Sequence, residues 1–299
     1  MQNIDVLCIG ATSYDFVFRV KHHPGSDEKT TADAIIRCGG GPAANAAVTV
    51  ARMGLRSAFA GYLGADIFGQ LHLEELKAVG VDTGLVVRGR YPTPLSSVLV
   101  SPSGERSLVN YRDADSVLPA ESIDFSTIHP EVILFDGHEP EISLPLMNDA
   151  HAKGIKTVLD AGSLNKGTSR LFDRVSHLVC SERFACELTG ASSPDKAMES
   201  FVSHSQCVVI TLGKNGLIWK NSGGKGRIPA FPVDVVDSTG AGDVFHGAFA
   251  GCLATGKEWI ETLTYASAAA ALCCTKLVAR TGIPEGAEIE QFLEEGAPG

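Results

Sequence analysis

One stretch of the sequence carries most of the information about fold and chemistry: VVDSTGAGDVFHGAF, residues 235–249. An apolar run typical of a strand leads into a turn of small residues, and an amphipathic helix follows directly. Gly240, Ala241 and Gly242 leave the main-chain amides of this turn uncovered, and the helix start adds a partial positive charge. The stretch therefore predicts a turn that can hold a phosphate group.

Asp243 follows this turn directly. A carboxylate beside a bound phosphate can accept the proton of an attacking hydroxyl. Phosphoryl transfer requires little beyond such a base, correct positioning and neutralisation of charge. Taken alone, Asp243 fits an ordinary helix cap and the glycines fit a tight turn. The choice between these interpretations depends on the rest of the chain.

Short apolar runs recur along the chain and alternate with stretches typical of helices. The runs that predict buried parallel strands are residues 6–10, 132–135, 156–160, 177–180 and 207–211. The stretches that predict helices include residues 41–53, 69–78 and 144–153. This alternation predicts a single α/β domain, residues 1–299, built on a doubly wound, mostly parallel sheet flanked by helices.

Two segments interrupt the alternation, residues 14–37 and 91–111. In both, β-branched and aromatic residues nearly alternate with polar ones, as in Ser96-Ser97-Val98-Leu99-Val100. Such alternation is typical of half-exposed antiparallel strands. We therefore expect the two segments to form a small antiparallel sheet that projects from the main body as a lid.

The composition narrows the class of protein. A formal net charge of −10 disfavours binding to nucleic acid or to a membrane surface, because both require clusters of Lys and Arg. The first residues lack the basic-then-apolar order of a secretion signal, so we expect a cytoplasmic protein. The 8 cysteines show no CxxC spacing and the 9 histidines no HExxH spacing, which predicts reduced thiols and no structural metal.

Two motifs resemble those of a known family. Residues 237–243, DSTGAGD, resemble the C-terminal signature DTxGAGD of the ribokinase, or PfkB, family of carbohydrate and nucleoside kinases. Residues 39–54 resemble the family's N-terminal signature, in which two glycines precede an Asn and an apolar helix. The resemblance implies a ribokinase-like fold and ATP-dependent phosphorylation of a small sugar-like substrate. It implies Asp243 as catalytic base, assisted by Gly240, Ala241 and Gly242.

The same resemblance assigns residues to the two substrates. The residues implied to orient the sugar are Asp15, Gly40, Gly41 and Asn45. Residues 211–216, TLGKNG, resemble a nucleotide-contacting element but equally fit a hairpin turn. Residues 266–271, ASAAAA, resemble the helix that lines the adenine pocket, although a packed core helix would look the same. The residues implied to bind ATP are Thr211, Gly213, Gly216 and Ser267.

Two departures from the family's pattern concern metal ions. Where many members carry an N-x-x-E element that organises Mg²⁺, this chain has Ser181-Glu182-Arg183-Phe184. We therefore expect Mg²⁺ to be held mainly by water and ATP oxygens, with no protein ligand assigned. The stretch Leu277-Val278-Ala279 lacks the Gly-rich character of the family's monovalent-cation site, so that ion is left undecided.

The acceptor sugar is less well defined. Residues 39–45, 232–249 and 270–284 are similar to bacterial sulfofructose kinases, and Lys29 and Asn110 lie where that branch contacts the end of its substrate. Lys29 equally fits a solvated edge-strand lysine. The sulfonate-binding Arg of that branch is replaced near His138, which carries only part of a charge at neutral pH. Glu139 suits neutral hydroxyls, so an unidentified ketose, aldose or sugar acid is favoured over sulfofructose.

Other interpretations fit parts of the pattern. A nucleoside kinase would share both signatures, and an idle sugar sensor would keep the fold without transferring phosphate. A Rossmann oxidoreductase would share the alternation, but Gly10-Ala11-Thr12-Ser13-Tyr14 lacks its G-x-G-x-x-G fingerprint. The exposed face of the lid is expected to pair with a second subunit and form a homodimer.

Overall fold

The computed structural model describes residues 2–102, 104–201 and 207–296. The strands in these ranges are β1 (Gln2–Ile9), β2 (Ser13–Arg19), β3 (Ala34–Gly40), β4 (Ser57–Gly64), β5 (Asp82–Gly89), β6 (Leu95–Val100), β7 (Arg106–Tyr111), β8 (Ile128–Phe135), β9 (Lys156–Ala161), β10 (His177–Ser181), β11 (Cys207–Thr211), β12 (Leu217–Asn221) and β13 (Gly224–Ile228). The helices there are α1 (Pro42–Arg52), α2 (Ile67–Ala78), α3 (Pro140–Lys153), α4 (Thr168–Leu171), α5 (Glu182–Thr189), α6 (Pro194–Phe201), α7 (Ala241–Ala254), α8 (Trp259–Cys273), α9 (Ala279–Gly282) and α10 (Gly286–Glu294).

The main sheet has nine strands in the order β13-β12-β11-β10-β9-β8-β1-β4-β5. Every neighbouring pair from β11 to β5 is parallel, and β12 and β13 add an antiparallel edge. The five parallel strands and three helices predicted from the alternation lie at their expected places. The expectation of a doubly wound, mostly parallel sheet is confirmed.

The lid is a separate four-stranded sheet in the order β3-β2-β6-β7. Its two hairpins are antiparallel, but β2 and β6 pair in parallel, so the expectation of a purely antiparallel lid is wrong. Each hairpin leaves the main sheet at the carboxyl end of a parallel strand, β1 or β5. Their first strands therefore set out in the same direction and pair side by side.

Helices cover both faces of the main sheet. Val6 and Cys8 of β1 face a core that α1, α2, α7, α8 and α10 share, and Leu7 and Ile9 face a core built with α3 to α6. This alternation is the period-two pattern of a strand buried on both faces. The 8 cysteines are free thiols, as predicted. No helix in the described ranges is long and apolar enough to cross a membrane.

Residues 235–249 depart from expectation on both sides of the glycine turn. α7 is not amphipathic, because residues 244–253 are all buried between the main sheet and the neighbouring helices α1 and α8. Val235 and Val236 are exposed and do not form the expected strand. The N–H of Val236 donates instead to the carbonyl of Cys274, where α8 ends, at 2.8 Å.

Candidate active site

The carboxyl ends of the parallel strands meet at one edge of the main sheet. In the strand order β1, β8, β9, β10, β11, the residues at or beside these ends are Gly10, Asp136, Asp160, Ser181 and Thr211. In open α/β sheets, ligands bind outside this edge, where the strand order reverses. The first turns of α7 reach the same edge, because His246 Nε2 lies 3.1 Å from the carbonyl oxygen of Val179 in β10.

The turn before α7 is open on the side of Gly242. Gly240 has a φ of +74°, and a Cβ there would lie 2.2 Å from the Cβ of Ala279. A Cβ added to Gly242 would meet no atom within 4 Å. Because the first amides of a helix have no partner within it, open space at this position suits an anion.

Asp243 lies in the first turn of α7 and is partly buried. Asn45 Nδ2 in α1 donates a 2.8 Å hydrogen bond to Asp243 Oδ2, which joins the two signatures across 198 positions. Burial, and next the charge of Asp160, raise the pKa of the Asp243 carboxyl to about 7. Such a pKa suits a base that accepts a proton near neutral pH.

Asp160 and His246 form a buried pair one helical turn beyond Asp243. Asp160 Oδ2 lies 3.3 Å from His246 Nδ1, and the two side chains are 6% and 3% exposed. Burial raises the pKa of the Asp160 carboxyl, and the neighbouring His246 opposes this effect. Neither residue is among those predicted from the sequence.

Asp237 ties the turn to the segment before α9. Its Oδ1 accepts the N–H of Thr239 at 2.9 Å, and its Oδ2 accepts the N–H of Val278 at 3.0 Å. Val278 has a φ of +70°, which a β-branched residue rarely adopts. The absence of glycine from residues 277–279 therefore has a conformational cost, which the hydrogen bond to Asp237 helps to offset.

The lid presents a row of polar side chains. Asp15 in β2 is paired with Ser96 in β6, and Ser96 is paired with Asn110 in β7. Paired residues on neighbouring strands project from the same face. The Asp15 carboxylate covers Gly40, where an added Cβ would lie 2.1 Å from Asp15 Oδ2. Burial raises the pKa of the Asp15 carboxyl, while hydrogen bonds from Ser13 and Ser96 lower it.

Two charged side chains form hydrogen bonds with the main chain of the glycine loop, residues 39–41. Glu75 Oε2 accepts the N–H of Gly39 at 2.7 Å, and Arg280 Nε donates to the carbonyl of Gly39 at 3.1 Å. Arg280 is buried and also contacts His72 Nε2. Because β3 is an edge strand of the lid, these contacts satisfy main-chain groups that no neighbouring strand can reach.

Arg112 joins the end of the lid to the main body. Its Nη2 lies 2.5 Å from Glu139 Oε1, and its Nη1 donates to the carbonyl of His138 at 3.2 Å. The second oxygen of Glu139 accepts the N–H of Leu118 at 3.0 Å, and Glu139 is only 1% exposed. Glu139 was expected to hold sugar hydroxyls, and both of its carboxylate oxygens form hydrogen bonds within the protein. Sugar binding by Glu139 and by His138 stays a prediction.

The remaining predicted residues are Lys29 and the four assigned to the nucleotide. Lys29 is exposed in the connection between β2 and β3. Thr211 ends β11, and residues 213–215 form a short 3-10 turn before Gly216, so this segment is a hairpin turn between β11 and β12. Ser267 lies in α8, which packs against α7. Nucleotide binding by these residues stays a prediction.

Ser181 and Phe184 occupy the place of the family's metal-organising element. Ser181 Oγ accepts the N–H of Phe184 at 3.0 Å and so caps α5, and Phe184 is fully buried. Across the described residues, no group of three or more His, Cys, Asp and Glu side chains is arranged to hold a metal ion. The side chains present thus do not fit a metal ion held by the protein alone.

An open turn beside a partly buried carboxylate suits the transfer of a phosphoryl group to a hydroxyl of a small molecule. The sequence profile described as "pfkB family carbohydrate kinase" matches residues 3–286. The chain therefore belongs to the pfkB family and is an ATP-dependent carbohydrate kinase, a phosphotransferase with an alcohol acceptor.

Individual relatives match nearly the whole chain. A ribokinase of Bacillus subtilis (strain 168) is 30% identical over 297 residues, which cover 98% of this chain and 100% of that protein. Fructokinase-1 of Zea mays is 30% identical over 294 residues, which cover 88% and 91% of the two chains. The crystal structure of a ribokinase from Thermotoga maritima is similar with a TM-score of 0.87 at 28% identity, covering 97% and 99%.

The open space beside Gly242 leads to a first prediction. Gly242→Ala should fold normally, because its Cβ meets no atom and alanine favours a helix over glycine. It should lower kcat/KM for ATP about ten- to hundredfold, since a charge-assisted hydrogen bond lost to a phosphate is worth about 1.5–3 kcal/mol.

Gly240→Ala is the matched comparison. There the positive φ costs about 1–2 kcal/mol and the new Cβ overlaps Ala279, so the melting temperature should fall. Initial rates and thermal unfolding of both variants provide the measurement. An unchanged KM and kcat for ATP in Gly242→Ala would show that no phosphate group approaches this turn.

Proposed function

We propose that this kinase transfers the terminal phosphoryl group of ATP to a hydroxyl of an uncharged ketose or aldose, with Asp243 as the base. The position of Asp243 carries the proposal. It lies at the start of a buried helix, beside an open glycine turn. The side-chain amide of Asn45 in α1 donates a hydrogen bond to its carboxylate, and its pKa is raised to about 7. These features suit a group that takes a proton from an acceptor hydroxyl.

The surrounding residues have complementary roles in this proposal. The sugar lies between the lid and the glycine loop, where Asp15, Asn110, Gly40 and Gly41 hold its hydroxyls. Asn45 keeps the carboxylate of Asp243 aimed at the acceptor oxygen. The amides of residues 240–242 neutralise charge on the transferring phosphoryl group. Closure of the lid excludes water, which otherwise competes as acceptor.

The nucleotide would lie toward β11. Thr211 stands at the same sheet edge as Asp160, two strands away, so ATP bound beside residues 211–216 and α8 could direct its phosphates to the turn. The residues proposed to hold it are Thr211, Gly213, Gly216 and Ser267. Mg²⁺ would enter with the nucleotide, bound by phosphate oxygens and water, and would neutralise phosphate charge.

The ion pair at the end of the lid supports an uncharged acceptor. The guanidinium of Arg112 is paired with the buried carboxylate of Glu139, so its charge is already balanced. A sulfonate at this place would have to compete with that carboxylate, and Lys29 is exposed in a lid connection. The ribokinase of Bacillus subtilis and fructokinase-1 of Zea mays are both 30% identical to this chain, so the comparisons do not separate ribose from fructose as the acceptor.

The test is release of ADP across a panel of acceptors. Ribose, fructose, other ketoses and aldoses, sugar acids, sulfofructose and nucleosides are each supplied with ATP and Mg²⁺, and Asp243→Asn serves as the blank. A neutral sugar should give the highest kcat/KM. Highest activity on sulfofructose, a sugar acid or a nucleoside would replace the proposed acceptor. Stabilisation by a sugar in thermal unfolding without ADP release from any acceptor would indicate a sensor.

We further propose a homodimer formed through the outer face of the lid. Three apolar side chains on this face are exposed in the described part of the chain, namely Ile35, Val109 and Tyr111, at 52%, 72% and 51%. Val109→Asp should shift sedimentation from dimer to monomer, because it places a charge in the buried contact. Ile260→Asp, an exposed apolar residue of α8, is the control. A wild-type monomer at micromolar concentration would contradict the proposal.

A further inference from the structure

We propose that His246 is a cationic positioning residue, an imidazolium held by two main-chain carbonyls and Asp160, which fixes the peptide before Asp243 and offsets the negative charge around it. The inference rests on the proposed role of Asp243 as the base. Its experiment separates failure of that role from failure of the inference.

The first observation is the surroundings of the ring. Nδ1 lies 2.6 Å from the carbonyl oxygen of Gly242, and Nε2 lies 3.1 Å from the carbonyl oxygen of Val179. A carbonyl oxygen only accepts hydrogen bonds. A neutral imidazole has one nitrogen without a proton, and its lone pair would face one of these oxygens in a site that is 3% exposed. Only the imidazolium donates in both directions.

The second observation is the nearby carboxylate. Asp160 Oδ2 lies 3.3 Å from His246 Nδ1, and this oxygen has no hydrogen-bond partner among the described residues. Among these residues the other oxygen, Oδ1, accepts only the N–H of Gly162 at 3.2 Å, and a buried carboxylate with one oxygen left unpaired is stabilised by a nearby positive charge. A proton placed on Asp160 would not help Nδ1, which already faces the Gly242 oxygen. The cation on His246 therefore satisfies both the two carbonyls and the carboxylate.

The pair acts on the base in two ways. The Gly242 carbonyl belongs to the same planar peptide as the Asp243 N–H, so the ring fixes the direction of that amide. The ring also supplies the positive charge that faces a cluster of acidic groups. The charged and titratable groups around Asp243 and His246 are Asp136 and His138 after β8, Asp160 of β9, Asp237 before α7 and Cys273 of α8.

The charges of the two partners predict opposite effects. Asp160 raises the pKa of Asp243 and His246 lowers it. The base must be ionised, so kcat/KM of the wild type should fall as the pH drops through about 7. This fall is the acid limb of the profile of kcat/KM against pH. Without the cation, ionisation of Asp243 is harder and the acid limb moves to higher pH. Without the Asp160 charge, ionisation is easier and the acid limb moves to lower pH.

The experiment measures kcat/KM from pH 5 to 9 with saturating ATP and the best acceptor. His246→Asn should move the acid limb up by about one pH unit, Asp160→Asn should move it down by a similar amount, and the double variant should return close to the wild type. His177→Asn replaces a half-buried histidine at the far end of β10 and should leave the limb in place. A purely structural pair would lower the plateau without moving the limb in opposite directions.

A measurement without turnover completes the test. Long-range ¹H–¹⁵N spectra of the wild type at pH 7.5, assigned with His246→Asn, should show both ring nitrogens of His246 protonated. A neutral tautomer, or limbs that shift in the same direction or not at all, overturns the inference. If Asp243→Asn keeps its turnover, the base is misassigned. If Asp243→Asn is inactive while His246→Asn and Asp160→Asn both keep the acid limb of the wild type, only the role of His246 fails.

Discussion

Replacement of Asp243 by Asn is expected to lower kcat by about two to four orders of magnitude, the usual contribution of a positioned base. The change keeps the size of the side chain, and an amide oxygen can still accept the hydrogen bond from Asn45. ATP and the sugar should therefore bind with nearly unchanged affinity. The measurement is steady-state turnover, combined with binding of each substrate by calorimetry.

The stability of this variant separates chemistry from folding. The pKa of Asp243 is raised from 3.8 to about 7, so the folded state favours the protonated form, and stability falls as the pH rises from about 4 to 7. Asn resembles the protonated acid, so the variant should melt at the same or a higher temperature at pH 8. Asp234→Asn, an exposed carboxylate in the preceding loop, is the control for both measurements. Near-normal turnover in a folded Asp243→Asn enzyme would contradict the assignment of the base.

Replacement of Asp15 by Ala should have the second largest effect. The carboxylate stands on the inner face of the lid above Gly40 and can hold two sugar hydroxyls. Each charged hydrogen bond contributes about 1.5–3 kcal/mol, so the loss of two should lower kcat/KM for the sugar by about two to four orders of magnitude. KM for ATP should change little, because the nucleotide binds on the other side of Asp243.

Two comparison variants sharpen this test. Ser96→Ala removes a hydroxyl that contacts Asp15 and should cost about tenfold or less. Asp33→Ala removes an exposed lid carboxylate outside the row and should be neutral. An equal loss for ATP and sugar in Asp15→Ala would indicate a role in holding the lid rather than in binding the sugar.

The main sheet could be predicted from the sequence because its signals are local. Each strand buried on both faces appears as a short apolar run, and each helix follows within a few residues. The pairing within the lid could not be predicted in the same way. Whether β2 and β6 run parallel depends on where the two hairpins leave the main sheet, which no property of residues 14–37 or 91–111 reveals.

The residues of the candidate site also fall into two groups, those with a local sequence signal and those placed by contacts between distant segments. Gly240, Gly242, Asp243 and Asn45 lie in short motifs, so their signal is present in the sequence. Ser96, Arg112 and Arg280 carry no such signal, because their positions depend on contacts between distant segments. Two further residues offered a weak signal, Asp160 as a carboxylate at a strand end and His246 one turn after the base. Their pairing follows only when β9 and α7 come together.

The hydrogen bond between Asn45 and Asp243 has a consequence for synthesis of the chain. Asn45 is synthesised 198 positions before Asp243. The two side chains can meet only after α1 and α7 have packed together. A ribosome-bound fragment that ends before residue 243 has sugar-loop residues but no carboxylate to receive a proton. Catalytic competence thus cannot precede synthesis of residue 243 and the docking of α7 on α1.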